Sequence, residues 1–272
     1  MTNENKIFGR EFVIAILLTC AGGFLEAYSL YYRGFWGMMM TGNLVYATNS
    51  LVSGDFTSLI TYIPVIIFFM IGVILGKIIE KKLAKGDKNR YQVLELLILL
   101  VNLLIIVAIP TIYDNIKEMA DKTSAYNIIS NCLLAVGGGL LSASFTSFDG
   151  QSYAPTMMTA NLSRLSIGIH DWIFGENKKD GRLRSFKYLI LILTFLTSEG
   201  SCFAFYYYIY AKRIEGESFV SYFPNVTLLL PIILILISMI LIINKNRKEE
   251  KAKLSNSENK GDLQWKINFL KK

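Results

Sequence analysis

Apolar residues in this chain gather in long runs, without the 3.6-residue rhythm of an amphipathic helix or the alternation of a half-buried strand. A helix needs about 20 mostly apolar residues to cross the hydrocarbon core of a bilayer. Six stretches meet or approach that length: Phe12 to Tyr32, Thr57 to Ile79, Tyr91 to Tyr113, Tyr126 to Phe148, Phe186 to Tyr210 and Phe219 to Asn244. Open sheets leave edge amides unsatisfied in lipid, and the ten-residue alternation of a membrane barrel is missing, so the spans are helices. Two further stretches, Met38 to Ser53 and Met157 to Phe174, have a helical pattern but are too short and too polar for spans. They read as re-entrant or interfacial helices. The expected fold is an all-α integral membrane protein of six transmembrane helices.

Polar positions add an orientation. The chain has 272 residues, 53% of them apolar, and a formal net charge of +7. The basic excess sits at the ends of apolar runs, which argues for positive-inside loops and against nucleic acid as a partner. Lys77, Lys81, Lys82, Lys85, Lys88 and Arg90 follow the second span, and Lys178, Lys179, Arg182, Arg184 and Lys187 precede the fifth. A third basic segment, with Lys245, Arg247, Lys248, Lys251 and Lys253, follows the sixth. The links near Asp114 to Lys122 and Lys212 to Glu217 carry mixed charge. Six spans with both termini in the cytoplasm put every basic segment on one side. The chain divides into one transmembrane domain, residues 1–243, and a basic cytoplasmic tail, 244–272.

Cys20, Cys132 and Cys202 all fall inside spans and read as small packing residues rather than a disulfide framework. A lone His170 builds no multi-histidine metal site. Leu17-Leu18-Thr19-Cys20 resembles a lipoprotein cleavage site, but the following Gly22-Gly23 recurs later, so the segment belongs to the fold.

That recurrence is an internal repeat. Gly22-Gly23-Phe24-Leu25-Glu26-Ala27 aligns with Gly138-Gly139-Leu140-Leu141-Ser142-Ala143 at an offset of 116 residues. Met39-Met40-Thr41-Gly42-Asn43-Leu44 aligns with Met157-Met158-Thr159-Ala160-Asn161-Leu162 at an offset of 118. Gly72 and Gly76 pair more loosely with Gly200 and Ala204. Repeat one covers about residues 11–113 and repeat two about 126–243. Three spans per repeat reverse the direction of entry, so the repeat is inverted, an arrangement that in secondary transporters places a solute site between the halves near the midplane.

On its glycine-rich first span with Glu26, followed by Met40-Thr41-Gly42-Asn43, the chain resembles the YoaK-like family of bacterial inner-membrane proteins. The family has no established function. The resemblance covers most of residues 10 to 243 and implies a multi-pass protein of the bacterial inner membrane. The family typically has Asp at Glu26, a Gln-Asn pair near Leu141-Ser142 and Thr-Gly at Thr159-Ala160, so this chain departs from it most in the second half.

Charged side chains inside a membrane are costly and usually face protein or water. Glu26, Glu95 and Glu199 are the intramembrane acids, with Glu95 close enough to the cytoplasmic end of its span to reach the interface. Thr41, Gly42 and Asn43 open the first short helix, and Thr159 and Asn161 with Ala160 open the second. Thr and Asn there are expected either to cap the helices or to line a polar site at their positive ends. Gly42 is expected to permit closer backbone approach than Ala160. On the second short helix Leu162, Leu165, Ile169 and Trp172 share one face, leaving Arg164, His170 and Asp171 to water or a partner. The candidate substrate-binding set is Glu26, Thr41, Gly42, Asn43, Thr159, Asn161 and Glu199.

No nucleotide-binding loop, nucleophile–base pair or metal cluster is present in the sequence, so neither an enzyme nor a cofactor is expected. The expected function is a secondary transporter or facilitator of a small polar solute, an anion among the candidates, working by alternating access. The alternative is a membrane scaffold or sensor acting through the basic tail. Expected partners are the lipid bilayer and a small-molecule solute, with a homo-oligomer as a candidate assembly.

Overall fold

The computed structural model describes residues 8–85, 87–112, 123–207 and 227–247. In chain order its helices are α1 (Arg10–Arg33), α2 (Met40–Ser53), α3 (Phe56–Ile78), α4 (Lys88–Ile112), α5 (Ala125–Ser144), α6 (Met158–Phe174), α7 (Lys178–Phe205) and α8 (Leu229–Arg247). A π-helical turn, Ile79–Leu83, extends α3. Strands β1 (Ser147–Phe148) and β2 (Gln151–Ser152) form a small hairpin after α5. Six of these helices, all but α2 and α6, are long and apolar enough to cross a membrane. The protein is an all-α multi-pass membrane protein. The span ends expected at Tyr113, Tyr210 and Phe219, both mixed-charge links and the tail beyond Arg247 lie outside the described residues.

Two boundaries differ from the sequence pattern, each for a local reason. The fourth span, expected to run to Phe148, stops at Ser144 because Asp149 (φ 45°) and Gly150 (φ 73°) both adopt the left-handed conformation. Asp-Gly is a strong two-residue hairpin signal, and it turns β1 onto β2. The fifth span, expected from Phe186, starts at Lys178, capped by the Asn177 side chain, which accepts from the Asp180 amide at 3.3 Å. Its two added turns pack on α6, with Gly181 against the Trp172 backbone and Ser185 against Gly168.

Burial separates the helices into an inner pair and an outer set. In α1 and α5, 72% of the apolar window is buried within the protein, against 22–39% in the other four spans. α1 packs on α7, and α5 packs on α3 and α4. Small residues set these distances. Gly23 meets the Phe195 carbonyl and the Ser198 side chain of α7, while Gly139 meets the Phe69 carbonyl and Gly72 of α3. Gly200 has open space where a side chain would go. Gly72, by contrast, lies against the Val136 backbone of α5, so the two glycines aligned in the sequence sit in different surroundings.

The ends of the helices sort cleanly. Glu11 at the start of α1, Lys88 and Gln92 at the start of α4, Ser147 after α5 and Lys245 at the end of α8 line one small pocket. Lys187, early in α7, reaches the same end through Asp149 at 2.7 Å. The described basic segments thus share one end of the molecule, as the loop charges require.

Candidate functional site

Gly22, midway along α1, faces Pro155 and Thr156, the residues that lead into α6. A methyl added there would lie 3.0 Å from the Pro155 carbonyl oxygen. Gly138, well within α5, faces Met38, which leads into α2, with a methyl 2.9 Å from Met38 Cβ. Both short helices therefore begin beside the middle of an inner helix rather than at a helix end.

One turn beyond Gly22 on the same face of α1 stands Glu26, fully buried. Its carboxylate accepts hydrogen bonds from the Met38 amide at 3.0 Å and the Met39 amide at 3.1 Å. The acid caps α2 from another helix, each of its oxygens taking one free amide at the helix start. Its counterpart Ser142 donates instead to the Gly138 carbonyl of its own helix at 2.8 Å.

The expected capping by Thr41, Asn43, Thr159 and Asn161 is not what these residues do. Met39 and Met157 occupy the N-cap positions, neither with a side-chain cap bond. Asn43 and Asn161 are buried and each donates its amide back seven residues, to the Trp36 and Ala154 carbonyls respectively. Each also contacts the methionine three residues before it, Met40 or Met158. Asn161 Oδ1 accepts from the Ala154 amide at 3.2 Å and from Arg164 Nη1 at 3.1 Å. Asn43 Oδ1 is buried without a partner. Thr41 and Thr159 turn outward and are exposed. Gly42 does not open a path for closer approach, because its own Trp36 indole fills the space, 2.5 Å from where a methyl would sit. In the second half Ala154 stands in place of Trp36, and Ala160 is accommodated.

Toward the other end, α1 and α5 are joined through buried Arg33. Its guanidinium donates to the Tyr28 hydroxyl, to Tyr126 Oη at 2.7 Å and to Asn127 Oδ1 at 3.1 Å. From Asn127 the same face of α5 carries Asn131, Leu134 and Gly138, at helical spacing toward α2's beginning. Both polar atoms of buried Asn131 lack partners, as does the hydroxyl of buried Ser130. Thr156, 1% exposed, likewise holds an unpartnered hydroxyl. Buried polar groups are bonded in the great majority of cases, so these unpartnered atoms, on α5 and where α2 and α6 begin, are the band of candidate polar contacts.

A second clamp closes the basic end. Glu11 bonds Lys245 at 2.9 Å and the Asp149 amide at 3.0 Å. Asp149 holds Lys187, whose ammonium also lies over the Phe12 and Phe148 rings. Tyr153 donates to the Ala15 carbonyl and lies 2.8 Å from the Thr19 hydroxyl. Burial pushes the Tyr153 phenol above its ordinary pKa, keeping it neutral.

The other two acids fall at different distances from this band. Glu199 is half-buried on α7, within electrostatic reach of Tyr31 and Glu26. Glu95 does not reach the interface as expected. It is 1% exposed, its carboxyl filling the space left by Gly76 beside Ser144, with no donor in hydrogen-bond geometry. On α6 the expected apolar face is the outward one: Leu162, Ile169 and Trp172 are exposed, while Asn161 and Gly168 are buried. Asp171 pairs with Arg184 of α7 at 3.0 Å.

A family model described as a protein of unknown function, DUF1275, matches residues 14–241. The chain belongs to that family. No curated protein and no solved structure matches it. The DUF1275 match encloses the whole band from Thr19 to Asn161, whereas Glu11 and Lys245 fall outside it. Sequence reasoning missed Arg33, Asn127, Ser130 and Asn131. A signal was present: three polar residues spaced three and four apart inside an apolar span mark one polar helix face.

Proposed function

We propose that this protein is a secondary transporter or facilitator of a small polar solute, working by alternating access between two inverted three-span halves. The observation that carries this reading is the band of buried polar atoms with unmet bonding capacity, Asn43 Oδ1, the Ser130 and Thr156 hydroxyls and the Asn131 amide, between α1, α5 and two half-helix ends. A solute that sheds its water needs such partners.

Three reciprocities support the inverted repeat. Gly22 faces Thr156 as Gly138 faces Met38, α1 packs on α7 as α5 packs on α3, and Asn43 and Asn161 make the same seven-residue reach. Under that symmetry the Arg33 cluster and the Glu11–Lys245–Asp149 clamp are gates at opposite ends of the band, and they part in turn. The basic end faces the cytoplasm of a bacterial cell, with both termini inside, because that is where positive loops remain.

The test is a thermal-shift screen of metabolites followed by flux of the stabilising compound in proteoliposomes. Asn131→Leu is expected to abolish flux while the protein stays folded, and removal of residues 248–272 is expected to leave flux unchanged. Unchanged flux in Asn131→Leu overturns the site. Absence of flux, with loss of the cellular phenotype on tail removal, favours a scaffold or sensor acting through the tail.

A further inference from the structure

The two half-helix ends differ in charge, and we infer that the amide end of α6 is the binding site for the carboxylate group of a small organic anion. This rests on the transport reading for its physiological meaning, though not for its test. At the start of α2 the chain supplies its own carboxyl group: the two Glu26 oxygens take the Met38 and Met39 amides, one each. At an offset of 118 the corresponding amides are those of Thr156 and Met157. The position that would send a carboxylate to them is Ser142, a shorter neutral side chain turned onto the Gly138 carbonyl.

Two side chains at that end point to an incoming anion. Thr156, directly before the N-cap Met157, is buried with an unpartnered hydroxyl beside Gly22. Arg164, in the second turn of α6, donates to Asn161 Oδ1 and has no acidic partner among the described residues. Its counterpart in the first half is Tyr46. The first half thus holds a carboxylate and no cation at its amide end, and the second holds a cation and no carboxylate. The same dipole end that accepts the Glu26 side chain is poised to accept a carboxylate from solution, steadied by a hydroxyl donor and a guanidinium.

The experiment follows the melting temperature of the purified full-length protein in detergent, in sodium acetate against sodium chloride at equal pH and ionic strength. Acetate is expected to raise the wild-type midpoint in a saturable way. Ser142→Glu, which supplies the missing carboxylate internally, is expected to melt higher in chloride and lose the acetate shift. Arg164→Gln is expected to weaken acetate by roughly tenfold or more, the loss of one charge-assisted hydrogen bond. Equilibrium dialysis of radiolabelled acetate against wild type and Arg164→Gln serves if Ser142→Glu does not fold. No saturable acetate effect in the wild type overturns the inference, as does an equal affinity in Arg164→Gln. A protein that binds acetate yet moves no solute refutes transport and leaves this site standing. One that transports an uncharged solute without binding acetate refutes this site alone.

Discussion

The segments Trp36–Asn43 and Ala154–Asn161 are built alike and fastened differently. Each enters beside a glycine of an inner helix, starts a short helix on a methionine, and folds an asparagine back onto the carbonyl seven residues earlier. The first is pinned by a buried carboxylate from α1 and by an indole laid over Gly42. The second is held by its own asparagine and Arg164. Backbone geometry is common to both, and the side chains that complete it are not. Two segments of like backbone can thus be fastened differently, one by a carboxyl group from a neighbouring helix and the other from within, while each keeps one buried oxygen unmet, Asn43 Oδ1 in the first and the Thr156 hydroxyl in the second.

The largest break in this comparison comes from removing the anchor. Glu26→Ala leaves the buried Met38 amide and the partly buried Met39 amide without an acceptor, the first costing about 1–3 kcal/mol and the second less. Ser142→Ala removes one local helix bond and is expected to cost less than about 1 kcal/mol. Melting in micelles, with limited proteolysis at the Gly34–Met39 segment, reads both. Equal losses in the two variants would mean that Glu26 does not anchor α2.

The Trp36–Gly42 contact gives the next effect. Gly42→Ala drives a methyl into the indole and is expected to destabilise by about 1–3 kcal/mol, whereas Ala160→Gly is expected to lose no more than about 1 kcal/mol of helix propensity. In a Trp36→Ala background, which reproduces the Ala154–Ala160 pair of the second half, Gly42→Ala should become neutral or mildly stabilising. A double-mutant cycle showing no coupling between Trp36 and Gly42 would contradict the steric account.

Much of this was legible in the chain. Length and apolarity gave six spans, and the duplicated Met-Thr-small-Asn motif marked both short helices to within two residues, Met38–Ser53 against Met40–Ser53 and Met157–Phe174 against Met158–Phe174. Less legible was which member of each motif turns inward. Thr41 and Asn43 are both polar and both near a helix start, and only the packing of Met38 against Gly138 decides that Asn43 is buried and Thr41 exposed. Glu26 stood out as an intramembrane acid, but its partners are main-chain amides 12 and 13 residues on, for which no side-chain pattern exists. Asn127 and Asn131 were visible as polar residues in a span. Their meaning depended on Arg33, which the loop-charge rule treats as an end marker, although it is buried between α1 and α5.

The smallest effect is the most discriminating between strut and site. Asn161 makes three conventional hydrogen bonds, to the amide and carbonyl of Ala154 and to Arg164, and its remaining N–H meets the Met158 sulfur, so its side-chain amide is saturated. Asn43 donates to the Trp36 carbonyl and keeps a buried Oδ1 unmet. Truncating Asn161 to Ala should therefore lower stability by about 2 kcal/mol, and truncating Asn43 by about 1 kcal/mol, since fewer bonds are lost. Solute affinity should run the other way. An unsatisfied acceptor inside the polar band contributes to binding only when the solute donates to it, so Asn43→Ala should weaken a donor-bearing solute several-fold. Asn161→Ala should change its affinity less, at temperatures where the protein remains folded. Asn43→Asp supplies a control, because it keeps an acceptor at Oδ1 while removing the donor to Trp36. If Asn43→Ala binds normally and melts as low as Asn161→Ala, both asparagines are struts, and the contact site shrinks to Ser130, Asn131 and Thr156.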